Sequence, residues 1–189
     1  MYSYKIYHFL KLADVFSIIN ACFGFSAIFF AFKGIFTYSF VLVILAIFFD
    51  SLDGKLARYM KQSSRFGVDL DSLSDVVSFA VAPAFFFYLF SSLHIFIRLI
   101  VAFVFLTAGI LRLARFDIMK LFERDYPHKK GVYIGLAVPV AAFFASMSVF
   151  IIVYYCSGFI ANLLLAIVYL FLSYLMVSDI EFKKPRILV

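Results

Sequence analysis

An all-α integral membrane protein, with six transmembrane helices and a short N-terminal interfacial helix, is the fold class this sequence predicts. Three observations predict it. The 189 residues are 66% hydrophobic and only 15% charged, against roughly 45–50% apolar and about 25% charged residues in soluble domains. Apolar stretches close to the roughly 20 residues needed to cross a bilayer recur along the whole chain. Basic residues collect in alternate gaps between those stretches, as expected of a chain that weaves through a membrane. No repeat, low-complexity tract or long linker divides the sequence, so residues 1–189 read as a single domain.

Taken in order, residues 1–11 interleave Tyr4, Ile6, Tyr7, Phe9 and Leu10 with Lys5 and Lys11, a pattern suited to a helix lying in the interface. The segment lacks a small-residue cleavage site and runs straight into a span, so no removable signal peptide is expected. The first span, 12–32, is largely apolar and carries Asn20 near its middle, with Gly24 one turn further on the same face. Asn20 suits either a hydrogen bond to a neighbouring helix or a ligand contact. The second span, 38–60, runs into an aspartate-rich stretch, and the third, 71–90, emerges from it with Pro83 as a source of a kink. The fourth, 95–116, ends in the basic pair Arg112 and Arg115. The fifth, 133–156, contains Pro139, a second kink position, and the sixth covers 159–178. Cys22 and Cys156 lie inside spans without metal-type spacing and read as packing residues. His8, His94 and His128 are dispersed, and the 28 Phe residues read as a lipid-facing and packing surface.

The basic residues orient the weave. Two Lys precede the first span, four Lys and Arg lie in 55–65, six in 112–130 and three after Asp179, so 15 of the 17 fall on one side. Lys33 and Arg98 belong to the other. By the positive-inside tendency both termini and the polar loops face the cytoplasm of a multi-pass cell-membrane protein. The net charge of +6 then reflects topology and anionic headgroups, not a nucleic-acid partner.

Carboxylates beside apolar spans are expensive, about 2.5–3.5 kcal/mol each for Asp at a helix centre, and here they cluster. The stretch FFDSLDGKLARYMKQSSRFGVDLDSLSDVVSF places Asp50, Asp53, Asp71 and Asp75 at adjoining ends of the second and third spans. Positions three or four apart share a helix face, so Asp50 with Asp53, and Asp71 with Asp75, form two pairs. Asp69 is two residues from Asp71 and points elsewhere. Four facing carboxylates repel unless cations neutralise them, and an all-oxygen donor set selects hard ions such as Mg²⁺ or Mn²⁺. One or two such ions suit displacement at phosphorus. Gly54 and Gly67, each one turn from an aspartate, leave room for a phosphate or nucleotide; Ala57 keeps the same face small, and Arg58 can offer a guanidinium to phosphate oxygens.

The pattern D-x-x-D-G-x-x-A-R, eight residues, then G-x-x-x-D-x-x-x-D resembles the signature of the CDP-alcohol phosphatidyltransferase family at Asp50, Asp53, Gly54, Ala57, Arg58, Gly67, Asp71 and Asp75. The resemblance implies a six-span, often homodimeric, membrane enzyme in which an alcohol attacks the lipid-bearing phosphorus of a CDP-activated lipid and CMP leaves. It implies that Asp50, Asp53, Asp71 and Asp75 bind two Mg²⁺ or Mn²⁺ ions and that Asp75 is the general base. Asp50, Asp53, Gly54, Ala57, Arg58, Gly67 and Asp71, with Asn20 from the first span, are the candidate residues for CDP-lipid binding.

The acceptor is suggested by softer matches. LDSLSDVVSFAVAPA, LRLARFD, NACFGFSAI and GLAVP resemble the phosphatidylserine synthase branch, with departures at Asp117, where Asn is expected, and at Pro139, where a proline nearer Gly135 is expected. L-Serine is therefore the expected acceptor, and CDP-diacylglycerol or CDP-archaeol the donor. Arg112 and Arg115 are candidates for an acceptor's anionic group; they serve equally as topology anchors. Glycerol 3-phosphate and inositol 1-phosphate are alternative acceptors. A cation-coupled transporter is the rival from another class, and it calls for inverted repeats and charges near the bilayer midplane, neither of which the sequence offers.

Overall fold

The computed structural model describes residues 11–59, 65–121, 132–156 and 158–183. Six helical crossings are long and apolar enough to traverse a membrane. In chain order they are α1 (Leu12–Phe32), α2 (Phe36–Tyr59), the composite of α3 (Arg65–Asp75), a π-helical segment (Val76–Val81) and α4 (Ala82–Phe90), then α5 (Ile95–Leu121), α6 (Val138–Tyr155) and α7 (Phe159–Val177). The protein is thus a multi-pass membrane protein. The expected interfacial helix falls on residues 1–11, of which only Lys11 lies within the described residues.

Two spans begin elsewhere than their hydropathy suggests. The third starts at Arg65, not residue 71, because the aspartate-rich segment 65–75 is itself helical and continuous with the apolar part. The fifth starts at Val138, not residue 133. Its proline occupies the first helical turn, where a missing N–H costs nothing, so Pro139 begins the helix and does not kink it. The residues ahead of it form strand β1 (Val132–Ile134), paired antiparallel with β2 (Glu181–Lys183) in the register Val132↔Lys183, Tyr133↔Phe182 and Ile134↔Glu181. Gly135 follows at φ +73°, a left-handed turn that glycine adopts readily. A Cβ there would sit 2.6 Å from the Met176 carbonyl oxygen.

Pro83 does disturb its helix. Lacking an N–H, it cannot bond the carbonyl four residues back, and the π segment Val76–Val81 lies immediately upstream, the Ala82 N–H reaching the Val77 carbonyl. The buried Tyr169 hydroxyl of α7 donates to the Pro83 carbonyl at 2.9 Å, tying the bend to a neighbouring helix.

The third crossing is the hub of the bundle. Ser78, Phe79, Ala80, Ala82, Phe86 and Phe87 are buried, whereas the other crossings turn broad apolar faces outward. On α1 those are Val15, Ile18, Phe25, Phe29 and Phe32, spaced three or four apart as a lipid-facing stripe requires. Cys22 shares that stripe and Cys156 caps α6; both are exposed, which corrects their reading as packing residues. Phe36, Phe86, Phe90, Phe40 and Phe150 pack as an aromatic cluster at one end, and the carboxylates lie at the other.

Candidate active site

Two glycines allow the hub to be approached closely. A Cβ on Gly24 of α1 would lie 2.5 Å from the Ser78 Cα, and one on Gly109 of α5 would lie 2.9 Å from the Ala80 Cβ. Backbones thus meet the π segment from two sides, immediately after Asp75.

Asp75 is the last residue of α3 and is buried, at 7% exposure. Asp71, one turn earlier, and Asp50 on α2 are half-buried. One carboxylate oxygen from each of the three lies within 4.8 Å of the others. Like charges that close disfavour one another's ionisation, and a cation among the three carboxylates would offset that repulsion. The donor set is all oxygen, which fits Mg²⁺ or Mn²⁺. Asp69 is exposed and stands outside the group, as its position two residues from Asp71 predicted. The backbone of Asp53, Ala57 and Arg58 belongs to α2; their side chains lie outside the described residues. Gly54 and Gly67 are half-buried on α2 and α3.

Asn20 enters from α1. It is fully buried, and its Nδ2 donates to Asp75 Oδ1 at 3.0 Å. Of the two roles open in the sequence, the neighbouring-helix bond is present, and its partner is the candidate base. Ser78 closes the arrangement by donating from Oγ to the Asn20 carbonyl at 2.9 Å. Ser78 was not singled out from the sequence, because nothing local marks a serine 58 residues away as Asn20's partner. Between α1 and α3 a groove of about 540 Å³ runs from Ser17 and Ser74 outward past Ala21 and Leu73 to Phe25.

The two arginines differ. Arg112 is buried at 7% exposure, with its guanidinium 5.0 Å from the Phe116 ring centre. Arg115 donates from Nη1 to Asp179 at 2.8 Å and from Nη2 to the Met176 and Ser178 carbonyls at 3.2 and 3.1 Å. Those carbonyls close the C-terminus of α7, where a cation is favoured.

A polytopic helical bundle with a carboxylate trio on its central crossing, beside a groove open along the helices, defines a class of membrane protein with a site that could hold a divalent cation. The family model described as CDP-alcohol phosphatidyltransferase matches residues 10–176. The chain belongs to that family, and all four motif aspartates fall within the match. Among curated relatives it is similar to the archaetidylserine synthase of Methanothermobacter thermautotrophicus, with 36% identity over 95% of this chain and 72% of the relative. It is likewise similar to the CDP-diacylglycerol–serine O-phosphatidyltransferase of Methanocaldococcus jannaschii (36%, over 96% and 78%) and to that of Helicobacter pylori (32%, over 92% and 73%).

Proposed function

We propose that this protein transfers a phosphatidyl or archaetidyl group from a CDP-activated lipid to L-serine, releasing CMP. The observation that carries the reading is the trio Asp50, Asp71 and Asp75, set in the family motif of a chain whose relatives bear serine-transferase names. Asp50, Asp53, Asp71 and Asp75 would hold two Mg²⁺ or Mn²⁺ ions, whose chemistry is to neutralise charge developing on the diphosphate oxygens.

The residues of the chain do the rest. Gly54, Ala57 and Gly67 line the CDP pocket, and Arg58 holds a phosphate. Asp75 takes the proton of the serine hydroxyl as the oxygen forms its bond to the lipid-bearing phosphorus, and the bond from that phosphorus to the CMP oxygen breaks. General-base help of this kind contributes about 10²–10⁴-fold. Arg112 and Arg115 are the candidates for the serine carboxylate. The Arg115 guanidinium also binds the carbonyls at the end of α7. The groove between α1 and α3 gives the donor a sideways path from the bilayer. The site and both termini face the cytoplasm, and the working unit is a homodimer.

The test is CMP release by purified protein in detergent, supplied with CDP-diacylglycerol or CDP-archaeol and Mg²⁺, comparing L-serine, glycerol 3-phosphate and inositol 1-phosphate, with and without EDTA. Release with serine that EDTA abolishes is the expected result. Release only with another acceptor overturns the serine assignment.

A further inference from the structure

Asn20 does more than join two helices. An amide buried in a membrane span carries two polar ends, and a helix contact alone would be made more cheaply by an apolar side chain. In α1 only one end is matched: Nδ2 donates to Asp75 Oδ1 at 3.0 Å, while Oδ1 has no hydrogen-bond partner among the described residues. The fold nevertheless fixes that amide from both sides. Gly24, one turn along α1, brings the helix against Ser78 so closely that no side chain fits between them. Ser78 then bonds the carbonyl of Asn20 itself. Asp75 and Ser78 stand three residues apart across the start of the π segment, so a single face of the third crossing receives Asn20 twice, through its amide and through its backbone.

We propose that Asn20 is a positioning residue for Asp75. A carboxylate on an sp³ carbon turns freely about its last bond, and both of its oxygens are equivalent until one is claimed. The Asn20 amide claims Oδ1. That bond fixes the plane of the carboxylate beside Asp50 and Asp71. Amide nitrogen, not amide oxygen, must face Asp75, because an ionised carboxylate only accepts hydrogen bonds. Asn20 is fully buried and bonds Asp75 directly, so in this role it acts through that carboxylate. Hydrogen-bond partners that orient a metal-binding or catalytic side chain govern about 10–100-fold in activity or metal affinity.

The inference rests on the reaction proposed above, and the experiment separates the two. Wild-type protein, Asn20→Ala and the near-isosteric Asn20→Asp are purified in detergent. Each is assayed for single-turnover CMP release with serine and, without turnover, for CMP binding by calorimetry. The expected result is a single-turnover rate lowered about 10–100-fold in Asn20→Ala, with the CMP dissociation constant within about two-fold of wild type. Asn20→Asp, which sets a second carboxylate against Asp75, should be slower still. Asn20→Ser, which keeps a donor on a shorter arm, should recover part of the rate if loss of the donor is the cause. A raised CMP dissociation constant with an unchanged single-turnover rate makes Asn20 a nucleotide contact and overturns the proposal. Wild-type rates in Asn20→Ala overturn it as well. Absence of CMP release from wild type, with CMP still bound, strikes the proposed reaction instead. Asn20→Ala and Asn20→Asp have opposite packing faults, a cavity and a charge, so a shared rate loss at unchanged CMP affinity cannot come from misfolding.

Discussion

Replacing Gly24 by alanine puts one methyl group at the tightest helix crossing near the site. The added Cβ would lie 2.5 Å from the Ser78 Cα and 2.8 Å from the Ser78 Cβ, where ordinary contact begins at 3.4 Å. Relief therefore requires α1 and the π segment to part by about 1 Å, since the neighbour is backbone and has no rotamer to yield. Overpacking of this size costs about 1–3 kcal/mol of stability. The same displacement acts on Asn20, one turn away on the same face. Its 3.0 Å bond to Asp75 lengthens toward 4 Å, beyond hydrogen-bonding range, and the base is released from its set orientation. Misplacement of a reacting group by about 1 Å can cost on the order of 10²-fold in rate. Gly24→Ala should thus combine a lower thermal midpoint in detergent with CMP release slowed by one to two orders of magnitude, while Gly34→Ala serves as a control for glycine loss far from the site. Gly34 closes α1 at φ +78° with open space around it, so its replacement strains the backbone but leaves Asp75 alone. Full activity in Gly24→Ala would refute the argument that this crossing sets the geometry of the base.

Two further outcomes follow from the site. Asp75→Asn preserves shape and removes the base, so CMP release with serine should fall by about 10²–10⁴-fold, with much of the CMP affinity, measured by calorimetry, retained. Arg115→Ala should lower the thermal midpoint, because it removes two bonds to the carbonyls ending α7. Asp179→Ala should do far less, since that carboxylate is 92% exposed and an exposed pair is worth at most about 1 kcal/mol. If Arg115→Ala raised the KM for serine without changing the midpoint, the acceptor would be its principal partner.

Local spacing carries much of this site on its face. The three- and four-residue intervals between Asp50 and Asp53 and between Asp71 and Asp75 predict shared faces, and Asp50, Asp71 and Asp75 do converge while Asp69 does not. Span number is equally local, because each crossing is an apolar run. What escaped the sequence depends on distant partners. The segment opening with Tyr133 has the hydropathy of a helix, yet its backbone pairs with residues 181–183, close to 50 positions later. The π segment goes with both the missing N–H of Pro83 and helices packed close at Gly24 and Gly109. Asn20 could be recognised as an expensive polar residue, but its partner lies 55 residues away. Hydropathy also started the third span too late, because it scores the carboxylates of α3 as polar loop although they belong to a continuous helix.

The central claim is that carboxylates from α2 and α3 converge to hold the divalent ion of this transferase. It is tested most directly by Mn²⁺ binding to the purified protein, followed by electron paramagnetic resonance, in the wild type and in Asp50→Asn, Asp71→Asn and Asp69→Asn. The account predicts tight binding in the wild type, essentially unchanged in Asp69→Asn and weakened at least about ten-fold in Asp50→Asn and Asp71→Asn, as expected when a direct ligand is lost. Equal binding by all four proteins, or a loss in Asp69→Asn as large as in Asp71→Asn, would contradict it.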